Sequence, residues 1–468
     1  MSANLYDLVR YPTFPRVRTH PDRLAAVGRL FGMNPAPVDA CRVLEIGCNA
    51  GGNLIPMACA LPRSRFAGVD LAADPVAEGM GMIADLGLDN VTLHCTDLRE
   101  IGPESGEFDY ILAHGVYSWV SEEVGEGLLG LCRARLAPEG IAFISFNALP
   151  GGYVRQMLRE MMLHHIRNTE EPMARIREAR DFLETLLRAR QWPEAWQAMR
   201  DLEVKAILDW DDGGFYHDEL APYNRRFYFH EFVAALHRHQ LEYLGEAEPH
   251  EMFDLSQGPE GLAGDFLDRI QRLDFLMARR FHQALVCRSE RPLNRAVTPE
   301  QMSGFLFSSS ARRDDSGHIE GLRGVRITSA GEASSRVALA LGEVYPRPLA
   351  FDELLPYAGS PEALSEILFP LALSGFAGFH VYGFPCEERV TERPRACRLV
   401  RYQAARSRFV TNARHVTVEL DEMCRRLVQL ADGTRSHREI AAALGPEGAH
   451  DQVVPTLKLM ASRALLDG

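Results

Sequence analysis

Along the first 150 residues, short apolar runs alternate with segments whose apolar positions recur at helical spacing. RVLEI (Arg42 to Ile46) predicts a short buried strand, and Asn53 to Leu61 a helix. Arg65 to Leu71 predicts a second strand, Asp74 to Leu86 a helix, Val91 to Thr96 a third strand and Phe108 to His114 a fourth. A helix from Glu122 to Leu136 and a strand from Ile141 to Asn147 complete the series. Strands joined by helical crossovers predict a parallel sheet covered on both faces. After Gly151-Gly152 the period becomes helical throughout: Tyr153 to Arg167 and Met173 to Arg190 predict long helices, and Pro193 breaks the helical pattern after them. Beyond this insert, HEFVAALHRHQLEYLGEAEP predicts a helix and the strand Leu241 to Ala247, and Arg280 to Arg288 one more strand. The sheet is thus expected to close only near residue 290.

From Val297 the pattern changes again. SSSARRDDSGHIEG is polar and loop-like between strand candidates. Two later segments, one from Arg336 to Phe376 and one from Asp421 to Leu466, share a layout of helix, turn, short helix, loop and longer helix. Ser436 and Glu439 have the spacing of a capping box for the second short helix. Two small winged-helix-like modules in tandem are expected. The chain divides into 1–150 (N-terminal lid and nucleotide-binding core), 151–224 (helical insert), 225–292 (completion of the sheet), 293–392 (a middle α+β winged-helix-like domain) and 393–468 (a C-terminal winged-helix-like domain).

Composition narrows the function classes. The chain has 468 residues and a net charge of −13, which argues against a protein built to neutralise nucleic-acid phosphates. Its 9 cysteines show no CxxC pair or Cys/His ligand spacing, so neither a zinc site nor a disulfide framework is expected. No segment has the apolar length of a signal peptide or a membrane span, and a cytoplasmic location is expected. Lys205 and Lys458 are the only lysines. Genomic base bias explains this; avoidance of self-modification by an enzyme acting on lysine would explain it too.

The sequence VLEIGCNAGGNLIPMA, at the first strand's carboxyl end, looks like a dinucleotide loop with a glycine missing. Asn49 does not break the turn, because asparagine tolerates positive φ better than other non-glycine residues. Gly51 and Gly52 would leave the backbone bare for a ligand. No Gly-Lys-Ser/Thr is present there, so a nucleoside triphosphate is not indicated. Asp70 ends the second strand, where a carboxylate can hold the hydroxyls of a ribose. Asp97 comes after the third strand, where it could meet an adenine amino group. Glu45, the glycine turn, Asp70 and Asp97 together suit S-adenosyl-L-methionine.

LEIGCNAGGNLIPMA, GVDLAADPVAEG and FDYILAHGVYSWV resemble class I S-adenosylmethionine-dependent methyltransferases. THPDRLAAVGRLFGM and FYFHEFVAALHRHQLEYLGEAEPHEM narrow the resemblance to the group with a methyltransferase regulatory domain, which includes rickettsial protein-lysine methyltransferases. The resemblance covers residues 5 to 290 well and the C-terminal third more loosely. It implies an α/β fold: a Rossmann-like seven-stranded class I methyltransferase sheet with a helical insert and C-terminal winged-helix-like modules. It implies a donor site at Glu45, Gly47, Asn49, Gly51, Asn53, Asp70, Leu71, Asp97, Leu98, His114 and Gly115.

Methyl transfer from a sulfonium requires nucleophile, methyl and sulfur in line. A lysine acceptor must also lose a proton, its unperturbed pKa being about 10.4, and burial among aromatic rings favours that. His114, Tyr117 and Trp119 come after the fourth strand, where the methyl would sit, and are the expected catalytic residues. Core packing beneath the next helix is the alternative for Tyr117 and Trp119, and His114 could equally be a base or contact the donor through its backbone. Tyr11, Asn147 and Tyr153 are expected to touch the acceptor. His230, Glu231, His237 and His239 do not have the HExxH spacing, so no metal is expected. No Ser/His/Asp arrangement is identifiable. A protein or peptide acceptor, lysine favoured, leads a small natural product and a non-catalytic donor-binding role. No nucleic-acid partner or membrane insertion is expected, and a homodimer is compatible with the sequence.

Overall fold

A computed structural model of the protein describes residues 8–189, 193–253, 265–327, 331–384, 390–445 and 450–467. The expected boundaries at residue 1 and Arg190 lie outside them. The centre is a mixed sheet of β1 (Arg42–Ile46), β2 (Arg65–Asp70), β3 (Val91–Cys95), β4 (Phe108–Ala113), β5 (Leu136–Ala148), β6 (Arg226–Phe227), β7 (Leu241–Glu246) and β8 (Phe281–Arg288). Its order is β3-β2-β1-β4-β5-β8-β7, with β6 paired to the end of β5. The strands β1 to β5 run parallel, whereas β8 is antiparallel to both β5 and β7. This is the class I methyltransferase sheet. Its central strands are buried on both faces, which is why they read as unbroken apolar runs rather than alternating ones.

Two strands depart from expectation. β5 starts five residues early because Leu136 pairs with Phe108 before an irregularity in register; Pro138 and Gly140 make that stretch look like a turn. β6 has two residues and carries no periodicity, yet it joins the end of the insert to Asn147 and Ala148.

The insert comprises helices Tyr153–His165, Pro172–Arg188 and Glu194–Leu208 around its own core of Leu158, Met162, Ile176, Leu183, Val204 and Ile207. Val9, from the N-terminal segment, packs into that core. Farther along, helices Glu332–Glu343, Phe351–Ala358 and Pro361–Leu373 surround one apolar cluster. Helices Glu422–Leu430, His437–Leu444 and His450–Ser462 accompany another. The Ser436–Glu439 capping box is present. The polar stretch before the first trio supplies short strands at Leu306–Ser308, Arg312–Arg313 and Ile319–Glu320.

Candidate active site

The turn after β1 is held by backbone conformation and one carboxylate. Gly47, Asn49 and Gly51 have φ of 74°, 49° and 71°; a β-branched residue in their place would be strained. Asp70 Oδ2 accepts the Asn49 N–H at 2.8 Å, and Oδ1 accepts that of Ala72 at 2.9 Å. Asp70 therefore fixes the turn as well as facing the cavity.

That cavity, about 780 Å³, lies at the carboxyl ends of β1, β2 and β4. Gly47, Asn49, Asp70, Leu71, Asp97, Leu98, His114 and Gly115, all expected at the donor, line one side of it. Tyr11, Trp119, Trp210, Tyr223, Asn147 and Asp218 line the other. Three serine contacts shape the segment after β4. Ser145 Oγ accepts the Gly115 N–H at 2.8 Å, Ser118 Oγ accepts that of Asn147 at 2.8 Å, and Ser118 O accepts that of Arg225 at 2.7 Å. Trp119 is thereby turned toward the cavity, and its indole N–H is buried without a partner among the described residues.

Several expected site residues stand elsewhere. Glu45 is 4% exposed and lines no part of the cavity. It accepts the Asn53 amide at 2.7 Å, and burial, with Asp70 nearby, pushes its carboxyl up to about 8. Asn53 is turned the same way: its Oδ1 accepts the Arg16 N–H at 2.7 Å and pairs with His415 Nε2 at 2.8 Å. Gly51 and Gly52 are bare for the protein's own packing. A Cβ on Gly51 would meet Ile55 and Leu93, and one on Gly52 would stand 2.3 Å from Thr13 Oγ1. Tyr117 is 6% exposed and packs against Phe146, Phe227 and Phe232, so it belongs to the core. Tyr153 is 50% exposed; its hydroxyl meets that of Tyr228 at 3.1 Å, and its neighbour Gly152 lines the cavity instead.

His114 does line the cavity, with its ring stacked on Phe143. Burial, with Arg16 and Arg18 nearby, depresses its pKa to about 3. It is a neutral ring and too weak a base for an ammonium. Asp97 lines the cavity too, but Arg99 holds both of its oxygens, at 3.0 and 2.7 Å, and keeps the carboxyl ionised.

The N-terminal segment, expected as a lid, crosses from the donor turn to the insert: Thr13 accepts the Gly52 N–H at 3.0 Å, and Val9 O meets His217 Nε2 at 2.6 Å. A Cβ on Gly213 would stand 2.1 Å from Arg10 O, so both glycines mark where the segment passes. It walls the cavity rather than filling it, contributing Tyr11, Arg16 and Arg18.

Sequence patterns gave no sign of the wall built by the insert. Phe215–Glu219 is a π-helical turn, a form found often at functional sites. It brings Asp218 and Glu219 to the cavity with Trp210, Tyr223 and Asn224. Asn147 donates to Asn224 Oδ1 at 2.9 Å, which ties this wall to the end of β5. The dipeptide Asp218-Glu219 comes after a Gly-Gly pair in a polar stretch and looks like solvated loop.

A Ser/His/Asp chain missed by the sequence is also present. His380 stands between Asp22 Oδ2 at 2.7 Å and Ser308 Oγ at 2.9 Å. All three are buried, and none lines the cavity; they tie the middle region to helix Pro21–Leu30. His230 meets Gln271, and His237 and His239 meet Glu242 and Glu126, so the histidines of helix Phe229–Arg238 face separate partners. Among the described residues no helix is long and apolar enough to cross a membrane.

The cavity's donor wall suits an adenosine with an amino-acid tail: a carboxylate at the end of β2, apolar Leu71 and Leu98 to flank a flat base, and backbone bared by Gly47 and Gly115. Comparison with known proteins agrees. Residues 43–140 match a methyltransferase domain, 211–288 a predicted methyltransferase regulatory domain, and 392–458 the C-terminal winged helix domain of PKMT. Uncharacterized protein RP789 of Rickettsia prowazekii is 28% identical, over 94% of this chain and 85% of its own. Uncharacterized protein RP028 of the same organism is 37% identical over 49% of this chain and 92% of its own. PKMT2 from Rickettsia typhi, whose structure is also known in complex with AdoHcy, superposes with a TM-score of 0.85 at 25% identity, covering 98% of this chain and all of that one. The chain belongs to the class I S-adenosylmethionine-dependent methyltransferases, in the group that carries a methyltransferase regulatory domain.

Proposed function

We propose that the protein transfers the methyl group to the amine of a lysine side chain in a protein or peptide. The observation that carries this is the acceptor side of the cavity, where Tyr11, Trp119, Trp210 and Tyr223 accompany the carboxylate of Asp218. Aromatic faces and a carboxylate attract an ammonium, and a partly desolvated amine gives up its proton more readily. The match to the winged helix domain of PKMT and the likeness to PKMT2 support the same acceptor.

S-Adenosylmethionine supplies an activated methyl on sulfur. Asp70, Asn49, Leu71, Leu98, His114 and Gly115 would hold it, with Asp97 kept in place by Arg99. Trp119 and Tyr11 exclude water beside it and orient the acceptor. Asn147 fixes the wall opposite through Asn224. The protein should be incubated with methyl-labelled S-adenosylmethionine and a bacterial lysate, and the label located by mass spectrometry. Label on lysine side chains is expected; label only in the small-molecule fraction, or none, would overturn the proposal.

A further inference from the structure

A lysine acceptor arrives as an ammonium and cannot attack until a proton has gone. Other titratable groups on the cavity are engaged: His114, the one expected as a base, is a neutral ring held against Phe143, and Asp70 and Asp97 are committed to backbone amides and to Arg99. Glu219 also lines the cavity, but it is 1% exposed and its Oε1 is held by Arg155 from helix Tyr153–His165, while its Oε2 is buried without a partner among the described residues. Asp218 differs. Its carboxylate faces the cavity, and the hydrogen bond it accepts from the Tyr11 hydroxyl is long, at 3.4 Å.

Its backbone, by contrast, is pinned on both sides. Asn224 Nδ2 donates to the Asp218 carbonyl at 2.5 Å, and the preceding His217 is fixed to Val9 O. A rigid backbone under a lightly engaged carboxylate is what a proton-accepting site needs.

We propose that Asp218, seated by Tyr11 and the π-helical turn, is the catalytic carboxylate that receives the acceptor amine and takes its proton. This rests on the lysine acceptor proposed above. The ammonium hands one proton to an Asp218 oxygen. The freed nitrogen lone pair then forms the N–C bond as the C–S bond breaks, and that bond's electron pair remains on sulfur. Asp218 returns its proton to solvent, and the methylated amine leaves. The charged and titratable groups facing Asp218 set its strength. Glu219 on its own turn disfavours ionisation, whereas Arg155, Arg16 and the Tyr11 hydroxyl favour it. Burial outweighs these and brings the carboxyl up to about 7, close to the optimum for proton transfer at neutral pH.

The test uses the full chain, tritiated S-adenosylmethionine and poly-L-lysine across pH 6 to 9.5, together with n-butylamine titrated into S-adenosylhomocysteine-loaded protein. The wild type should label poly-L-lysine with a kcat that rises through pH 7. Asp218→Asn should lower kcat by about a hundredfold or more, lose that rise and lose n-butylamine binding, while S-adenosylhomocysteine affinity stays within threefold. Asp218→Glu should restore part of kcat with the rise displaced in pH; it also serves as the test if the asparagine variant fails to fold. A wild type that labels lysine while both variants keep its kcat and pH profile would overturn the role of Asp218 and leave the lysine acceptor standing. A wild type that neither labels poly-L-lysine nor binds n-butylamine would overturn both.

Discussion

Asp70 carries two burdens that a substitution separates. Its oxygens accept the Asn49 and Ala72 amides, which set the donor turn, and its carboxylate also faces the cavity. Hydrogen bonds to a charged group contribute about 1.5 to 3 kcal/mol each. Asp70→Ala should therefore weaken S-adenosylhomocysteine binding, measured calorimetrically, by roughly ten- to a hundredfold or more. An unchanged affinity would show that the donor lies elsewhere. Trp119 contributes on the other side, with an indole N–H that has no protein partner among the described residues. Trp119→Ala should leave donor affinity within a few fold and reduce turnover by on the order of a hundredfold, because misplacing an acceptor by about 1 Å costs that much. Loss of donor binding in this variant would move Trp119 to the donor pocket. These residues also show what a sequence discloses. Asp70 and Asn49 stand where the turn after an apolar strand places them, and Trp119 faces the cavity. Tyr117, two positions earlier in the same aromatic stretch, packs into the core. The stretch AHGVYSWV has no period that assigns rings to faces; the contacts of Gly115 with Ser145 and of Ser118 with Asn147 decide it, and both partners lie on β5, about 30 residues further along the chain.

At the scale of elements, the central strands and crossover helices were legible because burial on both faces imposes long apolar runs that local composition reveals. The wall made by Phe215–Glu219 was not, because a π-helical turn has no hydrophobic period of its own. The path of the N-terminal segment was not legible either. It is fixed by contacts across more than 30 residues of chain, from Thr13 to Gly52 and from Val9 to His217. Only the glycines at its crossing points betray it, and Gly52 reads as ligand clearance until the structure shows Thr13 against it. This yields a prediction on the segment itself. Gly213→Ala would drive a methyl group into the Arg10 carbonyl, a backbone atom that cannot rotate away. The segment should lift, taking Tyr11 from the cavity. Limited proteolysis should then cut between residues 8 and 16 about tenfold faster than in the wild type, since cleavage follows the open population, and KM for the acceptor should rise. A cleavage rate equal to the wild type's would mean that the segment is not held at Gly213.

Across the whole molecule, buried histidines tie separate elements together, and they respond to pH in opposite directions. His282 lies between Glu246 and Asp274, at 2.7 and 2.9 Å, and joins β8 to β7 and to helix Phe266–Met277. Burial opposes its charge, but the two carboxylates win and raise its pKa to about 9. A raised folded pKa stabilises fully below the unfolded value near 6.5, and that stability drains away as pH climbs through 9. His380 and His415 behave the other way. They connect the C-terminal half to Asp22 and to Asn53 of the donor turn, and burial depresses both pKa values. Neither takes up a proton readily while folded, whereas the unfolded chain does below about 6.5, so acidification favours unfolding. Stability should consequently peak near pH 6.5 and fall on both sides. Urea midpoints measured from pH 5 to 9.5 would separate the causes, since at constant m a change in midpoint is a change in stability. His282→Gln should lower the midpoint at pH 6.5 and flatten the alkaline fall, because the partner-dependent charge is gone. His415→Gln keeps a donor for Asn53 without a titrating ring, so it should flatten part of the acid fall and leave the alkaline one intact. If both variants retain the wild-type profile on both sides, the histidines are passive packing and the pH response lies in the surface carboxylates.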